Sequence, residues 1–135
     1  MDIKALDKAL LEIVNRRMEL AKIDYNNPKY DDLEEQLHTL EDNLQENYGE
    51  YLEGVLQEVH DKHCPDNDVL YPIAYLAKTY SVSDKNEYSV GESEGVFVEL
   101  DDQPGKNTKL VILPNPLRII LNGGKEKQKV LWSAK

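Results

Sequence analysis

From Leu33 to Val59 the chain places an apolar residue at almost every third or fourth position: Leu33, Leu37, Leu40, Leu44, Tyr48, Tyr51, Leu52, Val55, Leu56 and Val59. Steps of four and three alternate nearly as a heptad, which gathers these side chains on one side of a single long helix. A helix of about 35 residues spans roughly 52 Å, and its apolar stripe must be covered along that length. The other clear helical period, Ile3, Leu6, Leu10, Ile13, Val14 and Leu20, runs only to about Asp24. That is about 22 residues, or roughly 33 Å. The two helices form an antiparallel hairpin, and the surplus of the longer one must rest on the rest of the chain.

Local signals bound both helices. Asp2 is the expected N-cap of the first. Tyr25-Asn26-Asn27-Pro28 marks a break and restart, with Asn27 as N-cap and Pro28 at the first helical position of the second. Pro65 disfavours helix at the residue before it, so the second helix stops near His63 and Cys64. Gly49 and Gly54 weaken a helix interior and lie close to where the shorter helix runs out, which suggests a kink or a close approach of the second half.

After Pro65 the pattern changes. Residues 69–82 fit either a helical stripe (Val69, Ile73, Leu76, Ala77, Tyr80) or an extended segment, with a short helix from Pro72 preferred. Strands are expected at Glu87–Val90, Val96–Leu100, Lys109–Leu113, Leu117–Leu121 and Lys129–Trp132. Asn122-Gly123 suits a tight hairpin turn between the last two, and Pro114 and Pro116 imply a bend or a sheet edge. The expected fold is α+β: an N-terminal antiparallel helical hairpin over residues 1–64, packed on a small, mostly antiparallel sheet or partly open barrel over residues 65–135. Together they form a single domain. At 135 residues the chain is long enough for one substantial core.

Charge is uneven. Of the net −10, residues 1–68 carry −11 and residues 69–135 carry +1. Eleven acids and no Lys or Arg lie between Asp31 and Asp61. Such a surface repels a phosphate backbone, which argues against nucleic-acid binding. Glu34, Glu35, Glu41, Asp42 and Glu46 are the candidate interaction surface for a protein partner. A heptad-like seam also allows self-association, so a homodimer is a further expectation. No run approaches the roughly 18 apolar residues of a membrane span, and the acidic start is unlike a signal peptide. With Cys64 as the only cysteine, a reducing, cytoplasmic setting is expected and membrane partners are not.

Imidazole, thiol and carboxylate crowd together only in His60-Asp61-Lys62-His63-Cys64-Pro65-Asp66-Asn67-Asp68. His60 and His63, three apart on a helix, share a face, and with Cys64 they are the candidate ligands of a divalent metal such as zinc, with Asp66 or Asp68 folding back. A competing reading is that the histidines simply favour the free carbonyls of a helix end. Cys64 as a nucleophile is disfavoured there, because the same dipole opposes a thiolate. No phosphate loop, Gly-x-Ser-x-Gly or HExxH motif occurs. The leading functional expectation is a non-catalytic interaction or assembly module with an acidic helical surface. The alternatives are a metal-binding protein or enzyme using His60, His63 and Cys64, and a small-molecule binder with a tyrosine-lined pocket between helix 2 and the sheet.

In the order of its parts the chain resembles the bacterial transcript-cleavage factors, which carry an acidic helical hairpin tip; Asp24, Asp31 and Asp32 would be the tip acids here. The likeness covers topology alone, with a short first helix and no matching motif in the second half. No function is carried over from it.

Overall fold

The first helix, α1 (Ile3–Ala21), is capped as its sequence requires: Asp2 Oδ1 accepts from the Ala5 backbone N–H at 3.1 Å. The computed structural model describes residues 1–134, and Lys135, the last residue of the expected domain, lies outside them. α1 closes earlier than its apolar period implies, with Lys22 N–H bonded to Glu19 and Ile23 N–H to Leu20. The second helix, α2 (Tyr30–His63), starts later than expected. Asn27 does not cap it. Its side chain accepts from Lys29 N–H at 2.9 Å, two residues on, just as Asp24 accepts from Asn26 N–H. These two Asx turns consume the polar residues of the connection, and Lys29 holds the N-cap position without a side-chain bond.

α2 runs unbroken for 34 residues, about 51 Å against about 28 Å for the 19 residues of α1. Neither glycine inside it brings the second half close. The missing Cβ of Gly49 makes room for the Gln45 side chain of the same helix, and a Cβ at Gly54 would meet nothing within 4 Å.

Residues 72–75 form a single 3-10 turn, Pro72–Tyr75, with Pro at its start. Leu76 leaves it to bridge Ile112 in parallel. Six strands follow: β1 (Ser81–Val82), β2 (Tyr88–Ser89), β3 (Val96–Val98), β4 (Thr108–Leu113), β5 (Arg118–Asn122) and β6 (Lys129–Ser133). β1 and β2 form a small antiparallel pair, while β3-β4-β5-β6 form an open antiparallel sheet in that order.

The tight turn of this sheet is not at Asn122-Gly123. It lies at residues 114–117 between β4 and β5, where Asn115 has φ 55° and its bond to Pro116 is cis. Asn122 instead remains in β5 opposite Lys109, fully buried, with Nδ2 donating to the Gly91 and Glu94 carbonyls. The β5–β6 pairing itself is as expected, with Leu121 opposite Lys129, a register shift at Ile119/Ile120 and a six-residue connection.

Both faces of the central strands are buried. Leu110, Ile112, Ile119 and Leu121 join Leu6, Leu10 and Ile13 of α1 and Leu52, Val55, Leu56 and Val59 of α2 in one apolar cluster. The surplus length of α2 is therefore covered by the sheet and the 3-10 turn. Val111, Leu113 and Ile120 point the other way, against Val14, Ala77, Tyr80 and Tyr88. Among the described residues no helix is long and apolar enough to cross a membrane.

Candidate functional site

The junction between α2 and the sheet is built around His60, which is 1% exposed. Its Nδ1 lies 2.9 Å from the Asn67 carbonyl and its Nε2 lies 2.9 Å from the Tyr75 hydroxyl. A carbonyl only accepts, so Nδ1 carries the proton and Nε2 accepts from Tyr75 O–H. The Tyr75 oxygen in turn accepts from the Leu70 N–H at 3.0 Å. Every polar group in this network has a partner, and the Tyr75 side chain is wholly enclosed. Burial raises the Tyr75 phenol above its usual range, opposed by the Leu70 bond. This is a structural lock that fixes residues 67–75 on the end of α2.

His63 and Cys64 do not join His60 at a common point. His63 is half-buried, and burial lowers its pKa, with Asp102 opposing and Lys129 and Lys62 adding to the effect. Cys64 is fully buried, and its thiol is pushed up to about 11 by that burial and by nearby Asp101. A thiol so placed is no nucleophile at neutral pH. Asp66 and Asp68 stay exposed and do not fold back. Among the described residues no three His, Cys, Asp or Glu side chains are grouped so as to hold a metal ion. Of the candidate zinc ligands, His60 has both ring nitrogens within hydrogen-bond distance of protein groups, a partnership that spacing along one helix does not reveal.

The candidate interaction surface divides. Glu41 turns inward and pairs with Arg17 at 3.4 Å, both side chains being mostly enclosed, while Arg17 also donates to the Ala77 carbonyl at 2.9 Å. Glu34 is half-buried, and Glu35, Asp42 and Glu46 are exposed. So are Asp31, Asp32, Glu50, Glu58 and Asp61. Arg16–Glu19, Arg17–Glu41 and Lys127–Glu92 are the ion pairs among the described residues, so ten of the eleven acids between 31 and 61 have no cation partner there.

Where a pocket between α2 and the sheet is expected, Leu52, Val55, Leu56 and Val59 of α2 share one buried apolar cluster with Leu110, Ile112, Ile119 and Leu121 of β4 and β5. The tyrosines expected to line such a pocket, Tyr48, Tyr51, Tyr71, Tyr75 and Tyr80, differ in burial. Tyr75 and Tyr80 are buried, the Tyr80 hydroxyl donating to the Ile112 carbonyl with its pKa pushed by burial up to about 12. Tyr48 and Tyr51 are half-buried against the core, and Tyr71 is exposed. A cleft does open beside α2, against residues 69–74, lined by Glu53, Gln57, Val69, Leu70, Tyr71 and Ala74 and about 540 Å³ in volume. Sequence reasoning placed Tyr75 among the junction tyrosines without its bond to His60, and missed Asn67, Arg17 and Leu70 as site-forming residues. The clustering of Tyr48, Tyr51, Tyr71, Tyr75 and Tyr80 around the junction is the signal that pointed there.

Fold and surface together define an α+β protein whose long helix presents an uncompensated acidic face beside a small apolar cleft. No family model, curated protein or solved structure matches the chain.

Proposed function

We propose that the chain is a non-catalytic protein-interaction module whose acidic α2 face receives a basic surface of another protein. What carries this reading is the row of carboxylates without internal partners: among the described residues, only Glu41 of the eleven acids between Asp31 and Asp61 is paired. Exposed like charges repel one another along a helix, and a basic partner relieves that repulsion as it binds. At the junction His60 and Tyr75 are engaged with each other and with backbone groups, which favours a binding role over a chemical one. The apolar seam of α2 is spent inside the chain, with Leu37, Leu44, Leu52 and Leu56 buried. Two copies at −10 each also repel, so a different, basic protein is the better partner than a second copy. The same acids make nucleic acid and anionic lipid poor partners. A buried, unpaired Cys64 fits a reducing cytoplasmic setting.

Site-specific photo-crosslinking in cells tests the proposal. A photoreactive residue replaces Glu35, Asp42 or Glu46 in turn, with Lys85 as the control position. Adducts are expected at the three α2 positions, with proteins cross-linked through Lys- and Arg-rich segments. They should fall when the remaining acids of the trio are changed to Gln and persist in Glu41→Gln. The reading is overturned by adducts no stronger than at Lys85, or by adducts that join only two copies of this chain.

A further inference from the structure

We infer that the cleft between α2 and residues 69–74 seats a large apolar side chain from a peptide segment of the partner, with basic residues flanking that side chain. The inference rests on the acidic-face reading above and gives the partner a sequence character. Leu70 and Tyr71, 45% and 70% exposed, are the only adjacent pair among the large apolar residues that the described chain leaves in solvent. Met1, Tyr25, Val82, Phe97 and Val130 have no exposed large apolar neighbour in sequence, and the Tyr25 ring lies against that of Tyr30.

The exposed pair sits on a rigid mount. Leu70 N–H is held by the buried Tyr75 hydroxyl, and the Tyr71 carbonyl accepts from Ala74 N–H at 2.9 Å to open the 3-10 turn. Exposure is therefore imposed by fixed backbone, and the apolar floor is already formed before anything binds, which lowers the ordering cost of binding. Val69 and Ala74 complete the floor, and at about 540 Å³ the cleft has the size of a small ligand site.

Its wall supplies the charge. Glu53 and Gln57 line the cleft, and steps of four, three, four and four put Glu46, Glu50, Glu53, Gln57 and Asp61 on one helical face. Among the described residues none of the four carboxylates is in an ion pair, and Asp61 accepts only from Gln57 Nε2 at 2.8 Å. An apolar floor beside a carboxylate row complements a segment that is apolar at its centre and cationic on either side. An acidic segment is repelled by the row, and a purely basic one leaves the floor wet.

Three synthetic peptides test this by chemical-shift mapping on the full chain: acetyl-RKSLFSKR-amide, acetyl-RKSAASKR-amide and acetyl-EESLFSEE-amide. The first should shift the backbone signals of residues 53–57 and 69–74 and bind about tenfold more tightly than the second, since burial of one large apolar side chain in the cleft separates them. The third should not bind. Leu70→Ser and Tyr71→Ala, both at exposed positions, should remove the advantage of the first peptide over the second while leaving the spectrum folded. Equal binding of the two basic peptides along α2, with residues 69–74 unmoved, overturns the cleft and leaves the acidic-face reading standing. Failure of both basic peptides to bind overturns the two together.

Discussion

Tyr75 takes up one of the two His60 ring nitrogens that a shared metal would use, its hydroxyl lying 2.9 Å from Nε2. Removing its hydroxyl leaves that nitrogen and the Leu70 N–H without partners in an enclosed site. Tyr75→Phe is therefore expected to cost about 1–3 kcal/mol in urea unfolding, the usual penalty for stranded buried polar groups. A loss under about 0.5 kcal/mol would mean that the lock contributes little beyond a typical surface change. His63 gives a second residue-scale prediction through pH. Burial sets its folded pKa below the ordinary 6.5, with Asp102 opposing and Lys129 and Lys62 assisting. As pH falls through 6.5, the unfolded chain takes up a proton that the folded chain refuses, so stability drops until the lower folded value is passed. His63→Gln should lose less stability than the wild type between about pH 7.5 and about pH 5.5, the other titrating groups being common to both. Parallel curves for the two proteins would contradict the shift.

At the scale of elements, the apolar period of α2 and the β-branched runs of the second half were readable because periodicity reports which face is buried. Leu33 to Val59 lie within the observed helix, and each expected strand overlaps an observed one. What periodicity does not report is the identity of the cover. Lys109–Leu113 and Leu117–Leu121 are buried on both faces, the second by Ala77, Tyr80 and Tyr88 from a segment with few strand signals of its own. Asn122-Gly123 misled for a similar reason: the dipeptide suits a tight turn, yet the Asn side chain is engaged by the carbonyls of residues 91 and 94. The His60, His63 and Cys64 cluster was legible as chemistry, but the partners of His60 come from positions 67 and 75 and were not. Glycines separate local from tertiary demands. Gly54→Ala adds a methyl group to open space in a helix interior and should stabilise by about 0.5–1 kcal/mol. Gly95→Ala should cost about 1–3 kcal/mol, because residue 95 holds φ +115° and a Cβ there would lie 2.5 Å from the Leu110 carbonyl oxygen. Paired denaturant curves check both signs.

Across the whole molecule, the excess charge sits on α2 and the other half is nearly neutral, so the electrostatic cost of the fold is concentrated on one helix. Asp42, Glu46 and Glu50 stand four residues apart in succession, all exposed and none in an ion pair among the described residues. Like charges at that spacing destabilise a helix by about 0.2–0.5 kcal/mol per pair, and opposite charges stabilise it by a similar amount. Glu46→Lys converts two repulsive neighbours into two attractive ones. It should raise stability by about 0.8–2 kcal/mol in about 10 mM salt, and the gain should shrink by about 200 mM as screening shortens the reach of each charge. The same change should weaken binding of acetyl-RKSLFSKR-amide, since it places a cation beside the cleft wall. Thermal melts at the two salt levels, run beside peptide titrations, read both effects. A substitution that improves the fold while impairing binding is the pattern expected where a surface is shaped for a partner at the fold's expense. Loss of both, or a gain insensitive to salt, would show instead that Glu46 supports the helix itself.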